Sequence, residues 1–146
     1  MNRKEIVLRK YLLDENELTS DELNESVIEE CGYNNEMYKC DSLDYDFYVL
    51  TDDEADEKAK EYILESVWAF NPYFLQSHTG VDSEIFELLQ DKCESANEPI
   101  RAMIKDEEEL VADAIGSDGR GHFISFYDGV EHEVSFNNET FYIYKA

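Results

Sequence analysis

The sequence predicts a single α+β domain over residues 1–146, an acidic helical body to about residue 115 followed by a C-terminal antiparallel β-meander of about three strands. Apolar residues recur at helical spacing through the body. Beyond Gly116 they fall instead in short aromatic and β-branched runs, separated by Asp128-Gly129 and Asn137-Asn138. The charge divides at the same place. Residues 14–65 hold nineteen acids and three bases and residues 82–113 hold eleven and three, whereas from Asp118 the balance is only −3.

Residues 3–13 fit either a short helix or a first strand, because their apolar positions satisfy both periods. Thr19 or Ser20 then offers an N-cap for a helix with the apolar stripe Leu23, Val27 and Ile28, stopped by Gly32. Tyr45–Leu50 has the composition of a strand. From Thr51 a longer helix carries Asp52, Asp53 and Glu54 in its first turn, where the helix dipole favours anions. Ala55, Ala59, Tyr62, Ile63, Val67 and Phe70 mark its buried face, and Trp68 and Phe70 are assigned to the core. Asn71-Pro72 predicts a kink or boundary, since proline disfavours helical geometry in the residue before it. Val81–Cys93 reads as a further amphipathic helix capped by Asp82 or Ser83, with a shorter helix after Pro99. Asp106–Ile115 is the last, with Leu110, Val111, Ala114 and Ile115 inward. Gly116–Gly121 reads as a glycine-rich turn leading into strands at His122–Tyr127, Glu131–Phe136 and Thr140–Tyr144.

Thirty-six acids against twelve bases give a net charge of −24, which works against compactness through self-repulsion. Yet 42% hydrophobic and 13% aromatic content is too apolar for a disordered acidic tail, so a folded acidic protein is expected. No apolar run approaches the roughly 18 residues of a membrane span. The basic start lacks the apolar core and cleavage site of a signal peptide, so a cytoplasmic location is expected. Cys31, Cys40 and Cys93 lack CxxC spacing and read as reduced, buried or half-buried thiols.

Asp53, Glu57, Glu61 and Glu65 recur at i, i+4 and form one row opposite the apolar face, each step advancing about 6 Å along the helix. That interval is on the scale of successive phosphates along a nucleic-acid strand. A solvated helix face would carry the same row once; here the acid repeats. Asp21, Glu22, Glu25 and Glu29 lie in the preceding predicted helix and Asp106–Glu109 in the last. Several such ridges would offer a phosphate-like surface to the basic groove of a DNA-binding protein.

Catalytic signals are absent from the pattern. His78, His122 and His132 accompany no HExxH, GxSxG or Walker motif, and ordinary strand and turn roles account for His122 and His132 beside Asp118 or Asp128. No catalytic residue is assigned, and the chain is expected not to be an enzyme. Cys31, Cys40, His78 and Cys93 match no zinc-site spacing, and no EF-hand loop is present, so neither metal nor cofactor is expected. Arg120, within Asp118-Gly-Arg-Gly121, is expected to pair with a nearby carboxylate.

Two segments carry a resemblance: Tyr48–Asp56 continuing to Glu65–Asn71, and Asp118–Gly129. They resemble small acidic proteins of unassigned function encoded by phages and mobile elements. In charge and size the chain is also similar to the phage and plasmid DNA mimics that block restriction enzymes or CRISPR nucleases. The resemblance implies inhibition of host defence, in the host cytoplasm if the chain is phage-encoded. The expectation is then a non-enzymatic protein that occupies the DNA groove of a restriction- or CRISPR-type nuclease, or of another basic DNA-binding protein. It would do so through Asp53, Glu57, Glu61, Glu65, Asp21, Glu22, Glu25 and Glu29, as a monomer or homodimer, binding neither nucleic acid nor membrane itself. The alternative expectation is an interaction module of adaptor or immunity type, binding through its aromatic C-terminal sheet at Tyr127, Phe136, Tyr142 and Tyr144.

Overall fold

The N-terminal segment is a helix, α1 (Arg3–Asp14), in the computed structural model, which describes residues 1–32 and 34–146. The Asn2 side chain caps it by accepting from Glu5 N, and Val7, Leu8, Tyr11 and Leu12 form its buried stripe. α2 (Ser20–Glu25) opens on a capping box, in which Thr19 Oγ1 accepts from Glu22 N while the Glu22 carboxylate accepts from Thr19 N. It stops well before Gly32, a departure from the sequence expectation. Ser26 is extended and its Oγ donates to Glu22 O at 2.6 Å, occupying a carbonyl the helix leaves open. The chain then continues as strand β1 (Ile28–Cys31), antiparallel to β2 (Met37–Cys40). Glu29 therefore lies on a strand opposite Lys39, not on the helix with Asp21, Glu22 and Glu25.

β3 (Phe47–Leu50) is followed by α3 (Asp52–Glu65), whose start is fixed by a second reciprocal cap between Thr51 and Glu54. Packing divides the chain into two compact units, Met1–Glu57 with Arg120–Ala146, and Lys58–Gly119. α3 begins in the first and ends in the second.

The first unit is an α+β body built on a five-stranded antiparallel sheet of order β1-β2-β3-β5-β4, with β4 (His132–Phe136) and β5 (Glu139–Lys145) forming the terminal hairpin. Its turn is Asn137-Asn138, both left-handed at φ 49° and 66°, the twist a two-residue hairpin requires. Side chains alternate across the sheet. Phe47, Val49, Phe141 and Ile143 join the core under α1, while Leu50 and Tyr144 are buried on the opposite face.

The strand expected at His122–Tyr127 is instead a short helix, α8 (Arg120–Ile124), and the strand beside β5 is β3, drawn from before the helices. Aromatic content favoured a strand, but tertiary packing overrides it. Gly119, at φ 85°, turns the chain, and Gly121 lets α8 approach the backbone of residues 129–131. Ser125 N then bonds Gly121 O, burying Phe123 and Ile124. The Ser125 hydroxyl donates to Lys145 O, and the turn at Asp128 is closed by bonds to Val130 N and Ser125.

The second unit is helical. α4 (Pro72–Thr79) starts with proline in its first turn and Asn71 as cap, and ends at Gly80 with φ 76°. α5 (Ser83–Gln90) is capped by Asp82, α6 (Asn97–Met103) follows, and α7 (Glu107–Asp118) is capped by Asp106. α7 runs through Gly116, so the glycine-rich turn shrinks to Gly119. Ile63, Val67, Leu75, Phe86, Ile100 and Leu110 are fully buried in this unit. Tyr62 is exposed and Trp68 and Phe70 are only half-buried, which corrects their assignment to the core. Cys93 is also exposed, unlike half-buried Cys31 and buried Cys40. Among the described residues no helix is long and apolar enough to cross a membrane.

Candidate functional site

The reciprocal cap at Thr51 and Glu54 sets the rotation of α3, and Ala55, Ala59 and Ile63 fix its buried side. The row of Asp53, Glu57, Glu61 and Glu65 consequently faces solvent, and all four are exposed. Among the described residues no ion pair engages any of the four. The bases near α3 are committed elsewhere: Arg120 binds Asp52 and Asp56, and Lys60 pairs with Glu108. Arg120 and Lys60 thus neutralise part of the acid along α3, and Glu65 is close enough to Arg101 for their charges to interact.

The remaining predicted contacts are split between two elements. Asp21, Glu22 and Glu25 are exposed on α2, and Glu29 is exposed on β1. Glu22 already serves its own helix: its backbone and side-chain bonds with Thr19 hold its carboxyl below the usual carboxylate range. The Thr-x-x-Glu spacing was the available signal for that role.

Arg120 is the electrostatic centre of the first unit. Only 10% of its side chain is exposed, and it reaches Asp52 at 2.9 Å, Asp56 at 2.8 Å and Glu131 at 2.7 Å. The guanidinium lies 4.5 Å from the centre of the Tyr142 ring, and the Tyr144 hydroxyl donates to Glu131. Burial opposes the charge on Arg120, but Glu131, Asp52 and Asp56 outweigh it and push its pKa above the usual value. The expected carboxylate pairing is present, with three partners.

A second cluster ties the ends of the unit together. Lys145 Nζ pairs with Glu17 at 2.7 Å and sits 4.9 Å from the centre of the Tyr45 ring, while the Tyr45 hydroxyl donates to the same carboxylate. Burial raises the Glu17 carboxyl, but the bonds from Lys145 and Tyr45 outweigh it and hold it below its ordinary value of 4.5. Glu54 behaves alike: burial raises it, and Lys4 at 2.7 Å together with Thr51 brings it below 4.5. Because both folded-state values are depressed, their stabilisation is present above pH 4.5 and lost as pH falls through those values. Urea titrations are expected to show stability dropping below pH 4.5, with the drop flattened in a Glu17→Gln/Glu54→Gln variant that is itself less stable at neutral pH. An unchanged acid slope in that variant would refute the assignment.

The histidines do not assemble into a catalytic group with the aspartates considered. His122 is exposed on α8, His132 lies on β4, and Asp128 is engaged in its own turn. His78 is buried on α4 and meets Asp113 of α7 at 2.8 Å through Nε2. No group of three or more His, Cys, Asp or Glu among the described residues is arranged to hold a metal ion. Of the aromatic residues proposed for the alternative surface, Tyr144 is fully buried, Phe136 and Tyr142 are half-buried, and Tyr127 is exposed. No family model, no curated protein and no solved structure matches the chain.

Proposed function

We propose that this protein acts as a DNA mimic, occupying the basic DNA-binding groove of another protein of the restriction- or CRISPR-nuclease type. The observation that carries the reading is the α3 row: Asp53, Glu57, Glu61 and Glu65 are exposed, unpaired among the described residues, and spaced about 6 Å apart by helix geometry. A groove that neutralises phosphates would release counterions from such a row as it does from DNA, so binding would weaken steeply with salt. Asp21 and Glu25 are further exposed acids on α2, with Glu22 restrained by its cap and Glu29 on β1.

The test is capture of a partner from bacterial lysate at two salt concentrations, followed by a binding titration with the purified partner and competing duplex DNA. Duplex DNA should displace the protein. The variant Asp53→Asn/Glu57→Gln/Glu61→Gln/Glu65→Gln should bind roughly tenfold or more weakly, with a shallower salt dependence, since each exposed charge pair contributes about 0.2–1 kcal/mol. Equal affinity for the partner with DNA already seated would rule the reading out.

A second reading rests on the turn after α8, where Phe126 and Tyr127 are 71% and 59% exposed. An interaction module using this turn would lose binding on Tyr127→Ala and respond little to salt.

A further inference from the structure

Half of the residues of α5 in the second unit are apolar, yet only Phe86 among them is fully buried. Leu89 is half-buried, and Ile85 and Leu88 are 44% and 68% exposed. Bonds at both ends of the helix fix this outward placement. The Gln76 side chain of α4 accepts from Ser83 N at 2.7 Å, and the Gln90 amide donates to Phe70 O at 2.6 Å. At about 100° per residue, Leu88 projects roughly 140–160° away from Ser83, Phe86 and Gln90. Burying Leu88 by rotating the helix would therefore break both bonds and expose Phe86.

The same periodicity sets Glu84, Glu87 and Asp91 in a strip along one flank of Leu88. All three are exposed, and none forms an ion pair among the described residues. At i, i+3 and i, i+4 they repel one another, and Lys92, just past the C-cap Asp91, is the only base within residues 82–92. Single apolar side chains on a surface are ordinary, but Ile85 and Leu88 form a ridge at i, i+3 beside a strip of uncompensated charge. Charge then selects what covers the ridge. A second copy would bring the same acids and a net charge of −24 to the contact, and anionic polymers or lipid head groups would be repelled as well. An amphipathic helix with an apolar ridge and Lys or Arg along one flank satisfies both halves of the face.

We propose that the outer face of α5 docks a basic amphipathic helix of a partner protein, with Ile85 and Leu88 as the apolar contact and Glu84, Glu87 and Asp91 pairing with its cations. The face uses none of the α3 row, so it does not rest on the DNA-mimic reading. The test is an NMR titration of the full chain with a synthetic helical peptide of repeated Leu-Leu-Lys-Lys, about 15 residues long. A peptide of the same composition in scrambled order is the control. The patterned peptide should produce saturable shifts of the α5 amide resonances, and the scrambled one should bind roughly tenfold more weakly. Ile85→Ser/Leu88→Ser should weaken the patterned peptide roughly tenfold or more, since both side chains lose apolar burial. Glu84→Gln/Glu87→Gln/Asp91→Asn should weaken it roughly threefold to tenfold and flatten its salt dependence. Asp53→Asn/Glu57→Gln/Glu61→Gln/Glu65→Gln should bind it within about threefold of the native chain. All of the substituted side chains are exposed, so each variant is expected to fold. The proposal is overturned if the scrambled peptide binds as tightly, which would reduce the contact to bulk charge, or if either α5 variant binds like the native chain. Self-association of the native chain that Ile85→Ser/Leu88→Ser abolishes would overturn it too, by assigning the face to a second copy.

Discussion

Arg120→Met is expected to lower the unfolding free energy by up to about 3–5 kcal/mol, the scale on which an ion pair is broken by removing one buried partner. The side chain is 10% exposed and holds carboxylates from α3 and from the chain entering β4, while its guanidinium covers a β5 tyrosine. Methionine keeps much of the volume and removes every donor. Asp52 and Asp56 are 65% and 60% exposed and can rehydrate, which argues for the lower half of the range. Glu131 cannot relax so freely, because its side chain is 34% exposed and accepts from the buried Tyr144 hydroxyl. Arg120→Lys should recover less than half of the loss, since an ammonium lacks the planar fork that reaches three carboxylates. Urea unfolding followed by circular dichroism measures both. A loss below about 0.5 kcal/mol for the methionine variant would reduce Arg120 to an ordinary surface ion pair.

Gly121→Ala should cost about 3 kcal/mol or more, because the new methyl group has nowhere to go. A Cβ at this position would lie 2.6 Å from Gly129 O, 3.0 Å from Glu131 N and 3.1 Å from Val130 C. All three are backbone atoms, so relief requires moving the turn that carries Glu131 and Ser125's partner Asp128. Gly116→Ala is the internal control. It lies within α7 with nothing inside 4 Å of its added Cβ, and should stabilise by about 0.5–1 kcal/mol through backbone entropy alone. Thermal unfolding of the two variants should therefore move in opposite directions; a Gly121→Ala protein as stable as the parent would mean that α8 does not approach this turn so closely.

Elements defined by local chemistry were legible in the sequence. α3, α5 and α7 begin at the caps Thr51, Asp82 and Asp106, each made within three residues of itself. The acidic row was legible for the same reason, since i, i+4 spacing is a property of one helix. β1 and β2 were not, being four residues each with little apolar alternation, and they owe their form to pairing with each other and to the core under α1. α8 is not legible locally, because its cause is the turn at residues 129–131 that Gly121 abuts. The partners of Arg120 were equally hidden, as Asp52 and Asp56 stand 68 and 64 residues away in sequence.

The strand order has a bearing on self-association. β1 and β4 are the two rims of the sheet, and an open rim invites strands from other molecules. β1 is only four residues long and carries exposed Glu29 and Glu30, while Lys10 holds the Ser135 carbonyl of β4. Strand addition between two copies at β1 would set these glutamates against their own counterparts. Part of the acidic surplus thus keeps molecules of this chain from aggregating edge to edge, whatever else the remaining carboxylates bind.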